Sequence, residues 1–176
     1  MRRLRVKMSS STHDGHLRTA AVLTVSDSCS LGDRVDLSGP AVAEALGQRN
    51  FQVLVRSVVA DERAAIQEKL IELCRSVRLV VTTGGTGLAP RDVTPEATTA
   101  VCERLVEGIA EQMRFQGALK TRFATLSRAR CGVRGSSLIL NLPGNPGGAV
   151  ESLEAVVDLL PHALDLIEGK TDHDAL

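Results

Sequence analysis

The chain has 176 residues, 43% of them hydrophobic, and its 21 Lys and Arg balance 21 Asp and Glu, which is most economically one domain burying about two-thirds of its unfolded surface. The charge balance and a mean hydropathy of +0.04 give no pull toward nucleic acid or an anionic membrane. Aromatic residues make up 2%, with neither Trp nor Tyr, so the stacking platforms of single-strand binders are missing.

Residues 1–18, MRRLRVKMSSSTHDGHLR, are basic and then polar. They lack the apolar stretch of a secretory signal, and no later segment is apolar enough to span a membrane. A mobile leader is expected, with Met8 as a candidate second start, on a cytoplasmic protein. Residues 19–25, TAAVLTV, then read as a first strand. A polar loop follows, and Ser38-Gly39-Pro40 opens a helix to about Gln48, with proline at its tolerated first position. FQVLVRSVV (51–59) reads as a second strand. Asp61 starts a helix whose Ala65, Ile66, Leu70, Leu73 and Cys74 share one apolar face.

VRLVVT (77–82) is the third strand. After a glycine-rich loop, one helix is expected from Pro95 to about Leu105 and another from Gly108 to Lys120. SSLILNL (136–142) is a further strand. PGNPGG leads into a long final helix, Ala149 to about Glu168, which Pro161 should kink, and residues 171–176 read as a frayed tail. Continuous apolar strands alternating with helices predict a parallel sheet covered on both faces. Such sheets bind ligands beyond the carboxyl ends of their strands. The four cysteines contain no C-x-x-C and the four histidines no H-x-x-x-H, so neither a zinc site nor a disulfide framework is expected.

Three loops carry the candidate chemistry. In TTGGTG (82–87) glycines let amides turn toward an anion without a Cβ in the way; a plain strand-to-helix turn is the alternative. No Gly-Lys-Ser/Thr follows, so it is not a P-loop, and Pro90 occupies the third glycine position of a dinucleotide fingerprint. Asp92 is free for other work, because Thr94 and Pro95 already supply a helix start. Holding Mg²⁺ between phosphates suits such a carboxylate. Asp61 reads either as a helix N-cap or as the second carboxylate of that site, and Glu96 complements a helix dipole. Ser38 and Gly39 offer a hydroxyl and free amides at a helix start. Arg128, Arg130 and Arg134 stand near the next strand, and NLPGNP (141–146) reads as a pocket wall.

LTVSDS, LSGP, VADE, TTGGTGLAPRDVTPEAT, LSRARCGVRGSSLILNLPGNP and LPHALDLIEG, in that order, resemble the molybdopterin adenylyltransferases of molybdenum cofactor biosynthesis. That family includes the Mog and MoaB proteins and the equivalent domains of plant Cnx and of gephyrin. The likeness runs from about Thr19 to Gly169. It implies a three-layer α/β/α fold with a mostly parallel sheet, the Mog-like molybdopterin-binding fold, in one domain over 19–170, assembled as a homotrimer. It implies transfer of AMP from Mg-ATP to the terminal phosphate of molybdopterin, with release of pyrophosphate, and a molybdate-insertion enzyme as a further partner. By the same resemblance Asp61 and Asp92 are the catalytic and Mg²⁺-holding carboxylates. Thr83, Gly84, Gly85, Thr86 and Gly87, with Asn141, Pro143, Gly144 and Asn145, line the nucleotide and its phosphates. Ser26, Asp27, Ser38, Gly39, Ser127 and Arg128 face the pterin. Two alternatives accompany this reading: a non-catalytic pterin-binding or scaffold trimer, and a flavodoxin-like or dinucleotide oxidoreductase suggested by the sheet alone.

Overall fold

A computed structural model describes residues 18–170. The expected leader up to residue 17 and the expected tail at 171–176 lie outside the described residues. Arg18, counted with the leader above, opens the first strand and pairs with Asp165 at 2.9 Å.

The strands are β1 (Arg18–Val25), β2 (Phe51–Val59), β3 (Leu79–Thr83), β4 (Arg104–Leu105), β5 (Cys131–Arg134) and β6 (Ser137–Leu142), in the sheet order β2-β1-β3-β6-β5-β4. The first four in that order run parallel, while β5 is antiparallel to β6 and β4 antiparallel to β5. The helices are α1 (Asp27–Ser30), α2 (Ser38–Gln48), α3 (Arg63–Leu73), α4 (Thr94–Val101), α5 (Glu107–Ala118), α6 (Pro146–Glu154) and α7 (Leu160–Ile167).

The pleat sorts the apolar strand residues into two cores. Ala20, Val22, Leu79, Val81, Leu138 and Leu140 point to one face, against residues of α2, α5, α6 and α7. Ala21, Leu23, Val80 and Ile139 point to the other, against Ile66, Leu70 and Leu73 of α3 and Ala97 and Val101 of α4. Strict alternation on strands buried on both sides produces the three layers.

Four local expectations change. The helix expected to reach Leu105 stops at Val101, where Cys102 turns extended. Edge pairing wins there: Glu103 N–H reaches Val133 O at 2.9 Å and Val106 N–H reaches Cys131 O at 2.8 Å. Strand β5 was not anticipated, and a tight turn with Gly135 at φ 54° joins it to β6. The polar loop after β1 contains the short helix α1. The long final helix divides in two around a 3₁₀ turn at Val157–Leu159. The break precedes Pro161, which sits in the first turn of α7 where its missing N–H costs nothing.

From β1 the chain moves outward to β2 and then returns past β1 to β3 and β6. The order therefore reverses beside β1. The segments leaving β1, β2, β3 and β6 all emerge at the carboxyl edge of the sheet, the position this topology favours for ligands.

Candidate active site

The loop after β3 is shaped by two left-handed glycines, Gly84 at φ 103° and Gly85 at φ 64°. A Cβ on Gly84 would lie 2.2 Å from the carbonyl oxygen of Val25, so β1 and this loop approach more closely than any side chain allows. The Gly84 amide donates to Leu142 O at 3.1 Å and is spent within the fold, although Gly84 itself lines the smaller of the two cavities that meet at this loop. The amides of Gly85, Thr86 and Gly87 find no acceptor among the described residues, which leaves them as donors for an anion.

Thr94 closes the loop: its hydroxyl donates to Gly84 O at 2.9 Å and its amide to Gly85 O at 3.1 Å. Asp92 Oδ2 accepts the Ala89 amide at 2.9 Å, folding residues 89–92 into a turn. Arg128 braces the loop from behind. Its Nε donates to Gly87 O at 2.7 Å, and its other nitrogens reach Asp92 O and the carboxylate of Glu96. Burial opposes ionisation of Glu96, yet the bond from Arg128 and the charge of Arg63 outweigh it and hold that carboxyl below its ordinary range. Arg128 thus shapes the loop and has few N–H groups left for a pterin.

Asp61 does not cap α3, whose cap position is Glu62 and takes no side-chain bond. It meets the start of α1 instead. The Asp27 amide donates to Asp61 Oδ2 at 2.8 Å and the Asp61 amide to Asp27 Oδ1 at 2.9 Å. Partial burial raises the Asp61 carboxyl above its ordinary value; the Asp27 amide pulls it down, while the charges of Asp27 and Asp92 push it up. Asp27 moves the other way, lowered by the Asp61 amide and by Arg91. With its oxygens committed, Asp27 acts as a strut rather than facing the expected pterin.

Asp36, not among the expected site residues, organises the start of α2. It accepts from Thr24 Oγ1 at 2.7 Å, from the Gly39 amide at 2.9 Å and from Ser38 Oγ at 3.3 Å. The Ser38 hydroxyl and the Gly39 amide, expected to be free at this helix start, therefore both donate to this carboxylate. Its position three residues before Gly39 was the available signal.

Two cavities meet at the loop. One of about 430 Å³ is lined by Ser26, Ser38, Asp61, Thr83, Gly84 and Asp92, among others. The second, about 810 Å³, takes in Thr86, Gly87, Ser127 and Pro143 together with apolar residues of α5, including Met113. Gly85, Asp92, Gly144 and Asn145 line both. The expected pterin residues are thus divided, Ser26 and Ser38 on the first cavity and Ser127 on the second, with Asp27, Gly39 and Arg128 on neither. Asn145 also caps α6, accepting the Gly148 amide at 3.0 Å. Asn141 lines neither of these two cavities. It is fully buried, donating to Thr82 and Thr98 and accepting from the Arg130 amide. The Thr83 hydroxyl turns to Pro143 O at 2.8 Å and holds the fourth loop against the third.

Asp61 and Asp92 share one wall, and among the described residues no three His, Cys, Asp or Glu side chains converge on a metal site. Two carboxylates with free amides nearby suit a hard cation that keeps most of its ligands from phosphate and water.

The probable molybdopterin binding domain family matches residues 21–162, from within β1 into α7, so all four loops lie inside the match. The chain belongs to this molybdopterin-binding family. A molybdopterin adenylyltransferase of Helicobacter pylori is 46% identical over 152 residues, 84% of this chain and 86% of that protein. That of Escherichia coli K12 is 39% identical over 165 residues, covering 84% of each. The crystal structure of the molybdopterin biosynthesis enzyme MoaB from Thermus thermophilus superposes with a TM-score of 0.82 at 49% identity, over 87% of this chain and 98% of that one. Membership in the molybdopterin-binding family bears out the expected Mog-like three-layer fold and sets aside the flavodoxin-like alternative. No helix among the described residues is long and apolar enough to cross a membrane.

Proposed function

We propose that this protein is a molybdopterin adenylyltransferase of molybdenum cofactor biosynthesis, transferring AMP from Mg-ATP to the terminal phosphate of molybdopterin and releasing pyrophosphate. One observation carries the reading: two cavities share the wall of Gly85, Asp92, Gly144 and Asn145. That arrangement suits two substrates joined phosphate to phosphate, and the Helicobacter pylori and Escherichia coli relatives are molybdopterin adenylyltransferases.

Each group has a defined task. The amides of Gly85, Thr86 and Gly87 donate to phosphate oxygens, which are otherwise strongly repelled by Asp61 and Asp92. Asp61 and Asp92 would hold Mg²⁺, which when bound offsets the phosphate charge. Arg128 and Thr94 keep the loop rigid, so the donors are oriented before the substrates arrive. Ser26 and Ser38 supply hydroxyls to the substrate in the smaller cavity, and Ser127 to the substrate in the larger one.

The reading includes a cytoplasmic homotrimer. Its support within the chain is the exposed apolar stretch Phe115, Leu119, Phe123 and Leu126, on α5 and the 3₁₀ turn after it. A monomer leaves such a patch in water at a cost that association removes. The molybdate-insertion enzyme would take up the adenylylated product.

The deciding experiment is pyrophosphate release from ATP with and without molybdopterin, with and without Mg²⁺. Release that requires all three is the expected result. Tight molybdopterin binding without release would instead establish the non-catalytic pterin-binding or scaffold trimer.

A further inference from the structure

Asp61 and Asp92 sit on different loops, and one exposed side chain ties those loops together. Arg91, next to Asp92, donates through Nη1 to Glu62 Oε1 at 2.8 Å; Glu62 is next to Asp61. Its Nε and Nη2 donate to Asp27 Oδ2 at 3.1 and 2.8 Å, and Nη2 also reaches Asp27 Oδ1 at 2.9 Å. Asp27 in turn exchanges amide-to-carboxylate bonds with Asp61.

We propose that Arg91 is a positioning residue, a strap that sets the orientation of Asp61 relative to Asp92 by clamping Asp27 and Glu62. The inference rests on the adenylyl-transfer reading above for its catalytic consequence, but not for the clamp. The path is short. Asp61 Oδ2 is oriented by the Asp27 amide, the first of the four-residue helix α1. The Asp27 carboxylate holds that amide in place only while it stays turned toward the Asp61 amide. Three of the bonds fixing that carboxylate come from Arg91.

Stability does not explain the arrangement. Arg91 and Glu62 are exposed and Asp27 is half-buried, and ion pairs so open to water add little to folding. The planar fork is what the geometry uses, because it spans two carboxylates on different loops at once. A lysine, with one point charge, spans only one. With four hydrogen bonds already made, the guanidinium is committed to protein rather than to a phosphate.

The test uses Arg91→Ala, Arg91→Lys, Asp27→Asn and the double variant Arg91→Ala/Asp27→Asn, with pyrophosphate release for kcat and KM and amide hydrogen exchange for the clamp. Arg91→Ala should lose about 10²-fold in kcat, the cost of a small misplacement of reacting groups, with KM for ATP within about twofold of wild type. Arg91→Lys should not restore the rate. The double variant should be no worse than Arg91→Ala, because both lesions cut one path. Exchange at the Asp27 and Asp61 amides should quicken about tenfold in Arg91→Ala. A raised KM with unchanged kcat would make Arg91 a substrate ligand and overturn the strap. Additive losses in the double variant would overturn it too. If the wild type releases no pyrophosphate, the adenylyl-transfer reading falls by itself, and exchange still decides the clamp: unchanged protection in Arg91→Ala refutes it and lost protection upholds it.

Discussion

Gly85 and Thr94 are packed so closely that a Cβ on Gly85 would lie 2.4 Å from Thr94 Oγ1. Gly85 also holds φ 64°. A close approach by ligand is therefore not the first reason for glycine here. The loop's own closure by Thr94 requires it, and the added atom would also stand 3.2 Å from Asp61 Oδ1. Gly85→Val should be destabilised by roughly 2–4 kcal/mol, combining left-handed strain with overpacking. Urea unfolding measures this. A variant as stable as wild type that merely loses ATP affinity would restore the simpler phosphate-access explanation.

Asn141 makes a similar point about a residue expected at the nucleotide. Its Nδ2 donates to Thr82 Oγ1 at 3.0 Å and Thr98 Oγ1 at 2.9 Å, and its Oδ1 accepts the Arg130 amide at 3.2 Å. The network pins β6 to β3 and to α4 beneath the site. Asn141→Ala should cost about 2–4 kcal/mol, since it removes these bonds and leaves buried hydroxyls and an amide wanting partners. Thermal and chemical unfolding test it directly. An unchanged midpoint with lost activity would place Asn141 at the substrate.

The parallel strands were legible because burial on both faces writes long apolar runs, and β2 at Phe51–Val59 matches its expected bounds. Strand β4 is two exposed residues, Arg104 and Leu105, and no periodicity exists over so short a span. For β5 a signal existed, since Gly135-Ser136 separates CGVR from SLILNL as a two-residue hairpin turn does. The site was legible in its carboxylates and glycines, less so in its supports. Arg91 acts on Asp27, 64 residues away, and Arg128 on Gly87, 41 away. Such partners are brought together only by the sheet order, which local pattern does not encode. Asp61 looked like a cap for the same reason: its true contact is Asp27, across the sheet edge.

The four thiols should separate sharply in reactivity. Burial pushes Cys74 up to about 11 and Cys102 and Cys131 up to about 12. At pH 8 a thiol near 11 is about one part in a thousand thiolate, and one near 12 about one in ten thousand. Cys29 lines the smaller cavity beside Ser26 and Asp61. Iodoacetamide followed by peptide mass mapping should find Cys29 modified first, with ATP slowing it. Labelling of Cys102 or Cys131 as fast as Cys29 would mean that these cores open far more often than their packing implies.

The carboxylate pair gives the sharpest contrast between chemistry and stability. Asp92→Asn keeps an oxygen for the Ala89 amide, and Asp61→Asn keeps one for the Asp27 amide, so both variants should fold. Each should lose roughly 10²–10³-fold in molybdopterin-dependent pyrophosphate release, the usual cost of removing one preorganised charge interaction. The pH dependence of stability separates Asp61 further. Its folded pKa is raised, chiefly by burial. A raised carboxyl contributes stability below its unfolded value and loses it as pH rises through the folded value. Measured without Mg²⁺, Asp61→Asn should therefore melt at or above wild type at neutral pH. That advantage should shrink as the pH falls through the ordinary carboxyl range and vanish below it, where Asp61 is protonated in both states. Melting curves for both proteins from pH 3 to pH 8 provide the comparison. A variant that melts well below wild type at neutral pH would show that the Asp61 charge supports the fold, and two fully active variants would move the catalytic centre elsewhere.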